Sequence, residues 1–152
     1  MAEASQTLTE QILGRGALAL AGARGKGVRG DALAERLLQL ARTVPELAAH
    51  ASEVDWDGNG GVAVSNDAWA QAFALYGALL VESEAVPAPT VAPCGDGSVH
   101  LFWAPPDGSS VTAEAFPSGT IVVTHDAKDN LEVTTCRSFA EAASTVVRSL
   151  GI

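Results

Sequence analysis

The spacing of apolar residues changes once along this chain, and that change limits the folds open to it. In residues 1–84 the leucines, alanines and aromatics recur every three or four positions, as on one face of a helix. From residue 99 to 136 apolar and polar residues largely alternate, as in strands with one buried face. The sequence therefore predicts an α+β fold: a helical N-terminal half, a four-stranded antiparallel meander sheet and a C-terminal helix.

Two parts of the chain are distinguished by composition. Residues 1–30 are predicted to form an N-terminal helix, with leucines and an isoleucine at helical spacing, followed by the basic, glycine-rich loop "GARGKGVRG". Residues 31–152 are predicted to form a single α+β domain. The loop is not a phosphate-binding Walker A motif, because Leu20 stands where its first glycine belongs and Gly27 follows Lys26 instead of Ser or Thr.

Local signals mark the starts of three further helices. Asp31 precedes "ALAERLLQLART" as an N-cap, and Pro45 begins "PELAAHASEV". In the closing helix, "SFAEAASTVVRSLGI", Ser138 and Glu141 have the spacing of a capping box.

The longest predicted helix, "DAWAQAFALYGALLVES", follows Ser65 and Asn66, either of which suits its N-cap. It carries an aromatic and apolar stripe at spacings of four, three and four residues. The members of this stripe are Trp69, Phe73, Tyr76 and Leu80. Core packing is the favoured interpretation, with a ligand-binding row as the alternative.

After a proline-rich segment, residues 85–93, that is predicted to be an extended surface linker, four short strands follow. They are residues 99–104, 110–116, 120–125 and 131–136. Short connections such as "PPDGS" and "PSG" predict that successive strands pair antiparallel.

Alternation assigns the two faces of the predicted sheet. The face expected to meet the helices carries Val99, Leu101, Trp103, Val111, Ala113, Ala115, Ile121, Val123, Leu131 and Val133. The opposite face is mixed and is expected to meet water. Phe102 and Phe116 lie on that mixed face, where they are candidates for a contact surface.

Charge narrows the functional classes. The chain has a net charge of −9, and residues 51–152 alone carry three basic groups against thirteen acids, which gives −10. Direct nucleic-acid binding is disfavoured, because phosphate contacts need clustered Lys and Arg. An acidic body is typical of a domain that attracts a basic protein or a cation. The alternative is that the charge only keeps the chain soluble.

One stretch, "DWDGNGGVAVSND", matches a calcium loop at most positions. Asp55, Asp57 and Asn59 supply oxygens at the first, third and fifth positions, and Gly60 stands at the turn. The twelfth position needs a bidentate carboxylate and holds Asn66 instead. A weak calcium site and a plain turn between helices both remain open.

The same stretch resembles a motif of a family of small uncharacterised bacterial proteins, which share W-D-G-x-G-A, a helix, a proline-linked strand and a meander. The resemblance covers roughly residues 54–125 and rests on Trp56, Asp57, Gly58, Gly60, Pro89, Gly97 and Trp103. It implies a structural turn, in which Trp56 packs under the sheet or a helix and Asp57 ties down the backbone. It implies no activity.

No catalytic constellation is evident, so no catalytic, cofactor-binding or metal-binding residue is predicted and the chain is not expected to be an enzyme. His50, His100 and His125 lack metal-ligand spacing and are interpreted as surface or turn residues. Cys94 and Cys136 form no disulfide framework. They are expected to be reduced thiols, with a single bridge as the alternative.

These observations converge on a non-enzymatic, acidic protein-binding domain. An inhibitor, antitoxin or immunity-type protein that masks a basic partner fits them, and a calcium-binding module is the alternative. The acidic, polar N-terminus predicts no signal peptide, and no apolar run is long enough to span a membrane. We therefore expect a cytoplasmic bacterial protein that binds another protein, or a second copy of itself through its first helix.

Overall fold

The computed structural model describes residues 30–152, and the predicted N-terminal helix and most of the basic loop lie outside this range. Four helices are present in it. They are α1 (Gly30–Ala41), α2 (Val44–His50), α3 (Asn66–Glu82) and α4 (Phe139–Leu150). The helical half and the C-terminal helix of the predicted α+β fold are therefore confirmed.

The starts of α2, α3 and α4 follow the local signals, whereas the prediction that Asp31 caps α1 is wrong, because α1 already begins at Gly30. Pro45 lies in the first turn of α2. Ser65 caps α3, because its side chain accepts a hydrogen bond from the backbone N–H of Ala68. At α4 the Ser138 hydroxyl accepts from the N–H of Glu141, whose own carboxylate accepts from the N–H of Arg137 at 3.0 Å. The carboxylate thus reaches one residue further back than in the usual capping box.

Within residues 30–152 the sheet has five strands and not the predicted four. They are β1 (Thr90–Pro93), β2 (Val99–Trp103), β3 (Ser110–Ala115), β4 (Ile121–Ala127) and β5 (Asn130–Cys136). They form an antiparallel meander in the order β1-β2-β3-β4-β5. The prediction of a surface linker over residues 85–93 is wrong for its second half, which forms β1. An edge strand tolerates proline because one of its sides needs no N–H donor.

Helices α3 and α4 cover one face of the sheet, and α1 packs on α3. The predicted aromatic stripe of α3 lies in the core: Trp69, Phe73, Tyr76 and Leu80 are all fully buried. Arg36 of α1 donates to the backbone oxygens of Glu84 and Val86, which fixes α1 against the segment that follows α3. Within residues 30–152 the result is two layers, in which no helix covers the second face of the sheet.

The predicted inward orientation of Leu131 and Val133 is wrong. A two-residue turn joins β4 to β5 and pairs Ala127 with Asn130. In the register that this turn sets, Val133 is paired with Thr124, whose side chain lies on the outer face. The core-facing Val123 is paired with Thr134, so Val133 points away from the core. Leu131 and Val133 are therefore 64% and 60% exposed. The other core-facing strand residues predicted from alternation are buried.

Helix α2 ends at His50, four residues before the predicted end. The backbone oxygen of Ala51 accepts a hydrogen bond from a later segment of the chain instead of from a further helical turn. The N–H of Val64 donates to that oxygen at 2.8 Å. Cys94 and Cys136 are both free thiols, so the alternative of a single bridge is not realised. Among residues 30–152, no helix combines the length and the apolar character needed to cross a membrane.

Candidate functional site

The turn of residues 55–61 is held by two aspartates. Oδ1 of Asp57 accepts hydrogen bonds from the backbone N–H groups of Asn59 at 2.9 Å and Gly61 at 2.8 Å. Oδ1 of Asp55 accepts from the N–H of Gly60 at 2.5 Å. Asp57 thus ties down the backbone, as the family resemblance implies. These bonds hold the pKa of Asp57 below its usual value, with the Asn59 N–H as the largest cause.

This turn packs against a second turn, residues 94–97, which joins β1 to β2. The N–H of Val62 donates to the oxygen of Gly95 at 2.8 Å. Close approach requires glycine on both sides, because a Cβ atom at Gly61 or Gly95 would lie only 2.6 or 2.7 Å from an oxygen of Asp57. The Asp57 carboxylate therefore lies between the two turns and contacts both of them.

Trp56 closes the first turn from the other side. Its Nε1 donates to the backbone oxygen of Val62 at 3.0 Å, and its ring meets that of His50 edge to face at 5.9 Å. The ring is half-buried against the core.

The remaining residues of the resemblance also have structural positions. Gly97 adopts a φ of +87°, which favours glycine, and Pro89 is buried. Nε1 of Trp103 donates to the oxygen of Pro87 at 2.8 Å, which fastens the segment before β1. The packing of the two turns and of this segment therefore accounts for the aspartate, glycine, proline and tryptophan residues named here without any role in a reaction.

A polar network continues from the second turn onto the outer face of the sheet. The buried Ser98 places its Oγ 2.5 Å from Asp96 and 2.8 Å from Glu114. Nε2 of His100 lies 3.2 Å from the same Glu114 oxygen. Burial alone raises the pKa of Asp96, but hydrogen bonds with Glu114 and Ser98 outweigh that effect, so its pKa is lowered.

Together the two turns and the network gather negative charge at one end of the sheet. We call the group formed by Asp55, Asp57, Asp96 and Glu114 the acidic end. Between Arg42 and Lys128 the sequence contains eleven acids and no Lys or Arg, so no basic side chain from that part of the chain neutralises the group. Because the pKa values of Asp57 and Asp96 are lowered, both carboxylates stay ionised at neutral pH.

Cys94 lies beside this network and is a poor nucleophile. Burial, with further contributions from Asp96 and Glu114, raises the pKa of its thiol to about 11. At neutral pH the group is therefore a thiol and not the reactive thiolate.

Each of the three histidines has a neighbour other than Cys94. His50 contacts Trp56, His100 contacts Glu114, and His125 pairs with Glu132 across β4 and β5. Within residues 30–152, no group of three His, Cys, Asp or Glu side chains is arranged to hold a metal ion. Of the residues in the calcium hypothesis, Asn66 is the first residue of α3, and Asp55 and Asp57 accept backbone N–H groups.

An apolar groove of about 480 Å³ lies at the other end of β2 from the acidic end. It is lined by Phe102, Trp103, Pro105, Pro106 and Leu150, among others. Phe102 is 39% exposed there, whereas Phe116 is only partly exposed and lies outside the groove.

Comparison of the chain with protein-family models, with curated proteins and with solved structures yields no match in any of the three. The geometry of the chain is therefore the basis for inferring its function.

Sequence reasoning missed the link between Asp96, Ser98 and Glu114. Alternation does place His100 and Glu114 on one face, but only the antiparallel register makes them direct neighbours.

Proposed function

We propose that this chain is a non-enzymatic protein-binding domain that recognises a basic partner protein through its acidic end. The observation that carries the proposal is the packing of the 55–61 turn on the 94–97 turn through Asp57 and Gly95. That contact brings carboxylates distant in sequence onto one rigid surface. Charge presented on a rigid surface steers a basic partner and fixes its orientation.

An inhibitor, antitoxin or immunity-type role is consistent with this surface. Such proteins act by covering a basic active or nucleic-acid-binding surface, and they need no catalytic groups of their own. The protonated Cys94 thiol and the structural contacts of the histidines support a binding role over an enzymatic one. The calcium-binding alternative has no further support in the arrangement of its oxygens.

The proposal is tested by capture from a lysate of the native host, with the purified chain immobilised. We expect a basic protein to be retained at low ionic strength and released as salt rises, because exposed charges more than about 10 Å apart are screened at about 0.1 M salt. Recovery of no specific protein, or of one whose retention is insensitive to salt, contradicts the proposal.

A further inference from the structure

We propose that two copies of the chain associate through their β5 strands and so form one continuous antiparallel sheet of ten strands. This inference does not depend on the proposed partner of the acidic end. It concerns the β5 edge of the sheet: Glu114 of the acidic end lies on β3, and Thr135 of β5 lies in the same row across the strands. Two inter-strand spacings, roughly 10 Å, separate them.

The backbone of β5 is prepared for a further strand. Because Ala127 and Asn130 flank a two-residue turn, they are a hydrogen-bonded pair, and every second residue of β5 bonds to β4 from there. The N–H and C=O groups of Leu131, Val133 and Thr135 therefore point away from β4. None of them makes a backbone hydrogen bond elsewhere in the part of the chain that the structure describes.

Apolar side chains lie beside those open groups. Leu131 and Val133 are 64% and 60% exposed, which is unusual for large apolar residues on neighbouring positions of one face. A long open edge that carries exposed apolar residues is a template for pairing with another strand.

Charge identifies a second copy as the occupant. The side chains at this edge (Lys128, Asp129, Glu132 and Arg137) have charges that cancel, whereas the chain as a whole carries −9. Two copies can therefore approach here without the repulsion that an acidic surface produces. The basic partner proposed for the acidic end has no matching excess of negative charge at this edge.

The register of the pair follows from two-fold symmetry. With Val133 on the axis, antiparallel pairing places Val133 opposite Val133 of the second copy and Leu131 opposite its Thr135. It also brings Asp129, in the turn before β5, towards Arg137, just after β5, of the second copy. The last pair occurs twice and joins opposite charges. A shift of two residues in one direction places Glu132 opposite Glu132 of the second copy, which like-charge repulsion disfavours. A shift in the other direction places Thr134 opposite Thr134 and separates Asp129 from Arg137 of the second copy.

The test is the mass of the full chain in solution, measured by sedimentation or light scattering from about 1 μM to about 1 mM. We expect a species of twice the 15.5 kDa chain mass as concentration rises. Asp129→Arg and Arg137→Asp should each reduce dimer formation, since each creates two like-charge pairs. The double variant should restore it, and an equimolar mixture of the two single variants should form a mixed dimer.

A backbone variant gives an independent measurement. Val133→Pro removes an outward N–H, which an edge strand tolerates, and is expected to abolish the dimer while the far-ultraviolet circular dichroism is retained. If Val133→Pro unfolds, the charge variants decide. A wild-type chain that stays monomeric throughout the concentration range overturns the proposal. So does a dimer that neither the single charge variants nor a folded Val133→Pro weakens.

Discussion

The Asp57 carboxylate accepts the backbone N–H of Gly61 at 2.8 Å, and a Cβ atom at Gly61 would lie 2.6 Å from the same oxygen. The same oxygen of Asp57 therefore accepts the hydrogen bond from Gly61 and excludes any side chain at that position. The acidic end depends on this contact, because the same carboxylate also separates the first turn from Gly95 of the second.

Gly61→Ala is the first prediction. The added methyl group meets the Asp57 carboxylate, so we expect a loss of about 1–3 kcal/mol in unfolding free energy, the usual cost of overpacking a filled site. Asp57→Ala should also destabilise, because the N–H groups of Asn59 and Gly61 lose their acceptor.

Chemical denaturation of the double variant measures the coupling. Once Asp57 is alanine, the methyl group at Gly61 has no carboxylate to meet, so the combined loss should be smaller than the sum of the single losses. Strict additivity contradicts the contact.

The second prediction concerns acid stability. In the folded protein the pKa of Asp57 is lower than the reference value of 3.8. The ionised Asp57 therefore stabilises the fold fully above pH 3.8, and this stabilisation is lost as the pH falls through the pKa of the folded state. Asp57→Asn removes this titration. We expect the melting temperature of the variant to depend less steeply on pH than that of the wild type between about pH 4 and pH 2. Parallel curves in that window contradict the assigned cause.

The third prediction concerns thiol reactivity. Because burial raises the pKa of Cys94 to about 11, alkylation at neutral pH should be slow and should still increase above pH 9, the ordinary thiol value. Cys136 is fully buried and should react only on unfolding. The rate for the Cys136→Ser variant, followed by mass spectrometry, isolates Cys94. A rate that has already levelled off near pH 9 is incompatible with this environment.

The fourth prediction separates the two interpretations of the 55–66 stretch. We expect millimolar Ca²⁺ to leave the melting temperature unchanged, because Asn66 supplies no closing carboxylate and Oδ1 of Asp57 already accepts two N–H groups. Mg²⁺ at equal concentration is the control for ionic strength. A rise specific to Ca²⁺ that disappears in Asp57→Asn supports the calcium module instead.

Local signals in the sequence were sufficient for the helices and insufficient for the edges of the sheet. Ser65 and Ser138 cap helices through bonds to residues three positions away, which the sequence displays directly. The strand at Thr90–Pro93 forms only because β2 is available to pair with it, and its prolines indicate a linker. The outward orientation of Val133 depends on a two-residue turn that moves the register by one position.

The candidate site shows the same division. The sequence indicates that the 55–61 turn is tight, because Asp, Asn and Gly are turn residues. It does not indicate that the Asp57 carboxylate packs against Gly95, since these two residues are 38 positions apart in the sequence. The acidic end is therefore a property of the fold and not of a motif.

The central claim is that the acidic end, and not net charge alone, binds a basic partner. Two double variants of equal net charge test it. One combines Asp55→Asn with Asp96→Asn at the acidic end, and the other combines Glu82→Gln, at the exposed end of α3, with Glu84→Gln just after it. Asparagine keeps the acceptor oxygens that hold the turns, so the fold should be preserved.

The decisive measurement is the salt concentration at which the captured host protein elutes from each immobilised chain. We predict that the acidic-end variant releases it at markedly lower salt than the wild type, while the α3 variant elutes it as the wild type does. Equal elution from both variants, or weaker binding only in the α3 variant, contradicts the claim.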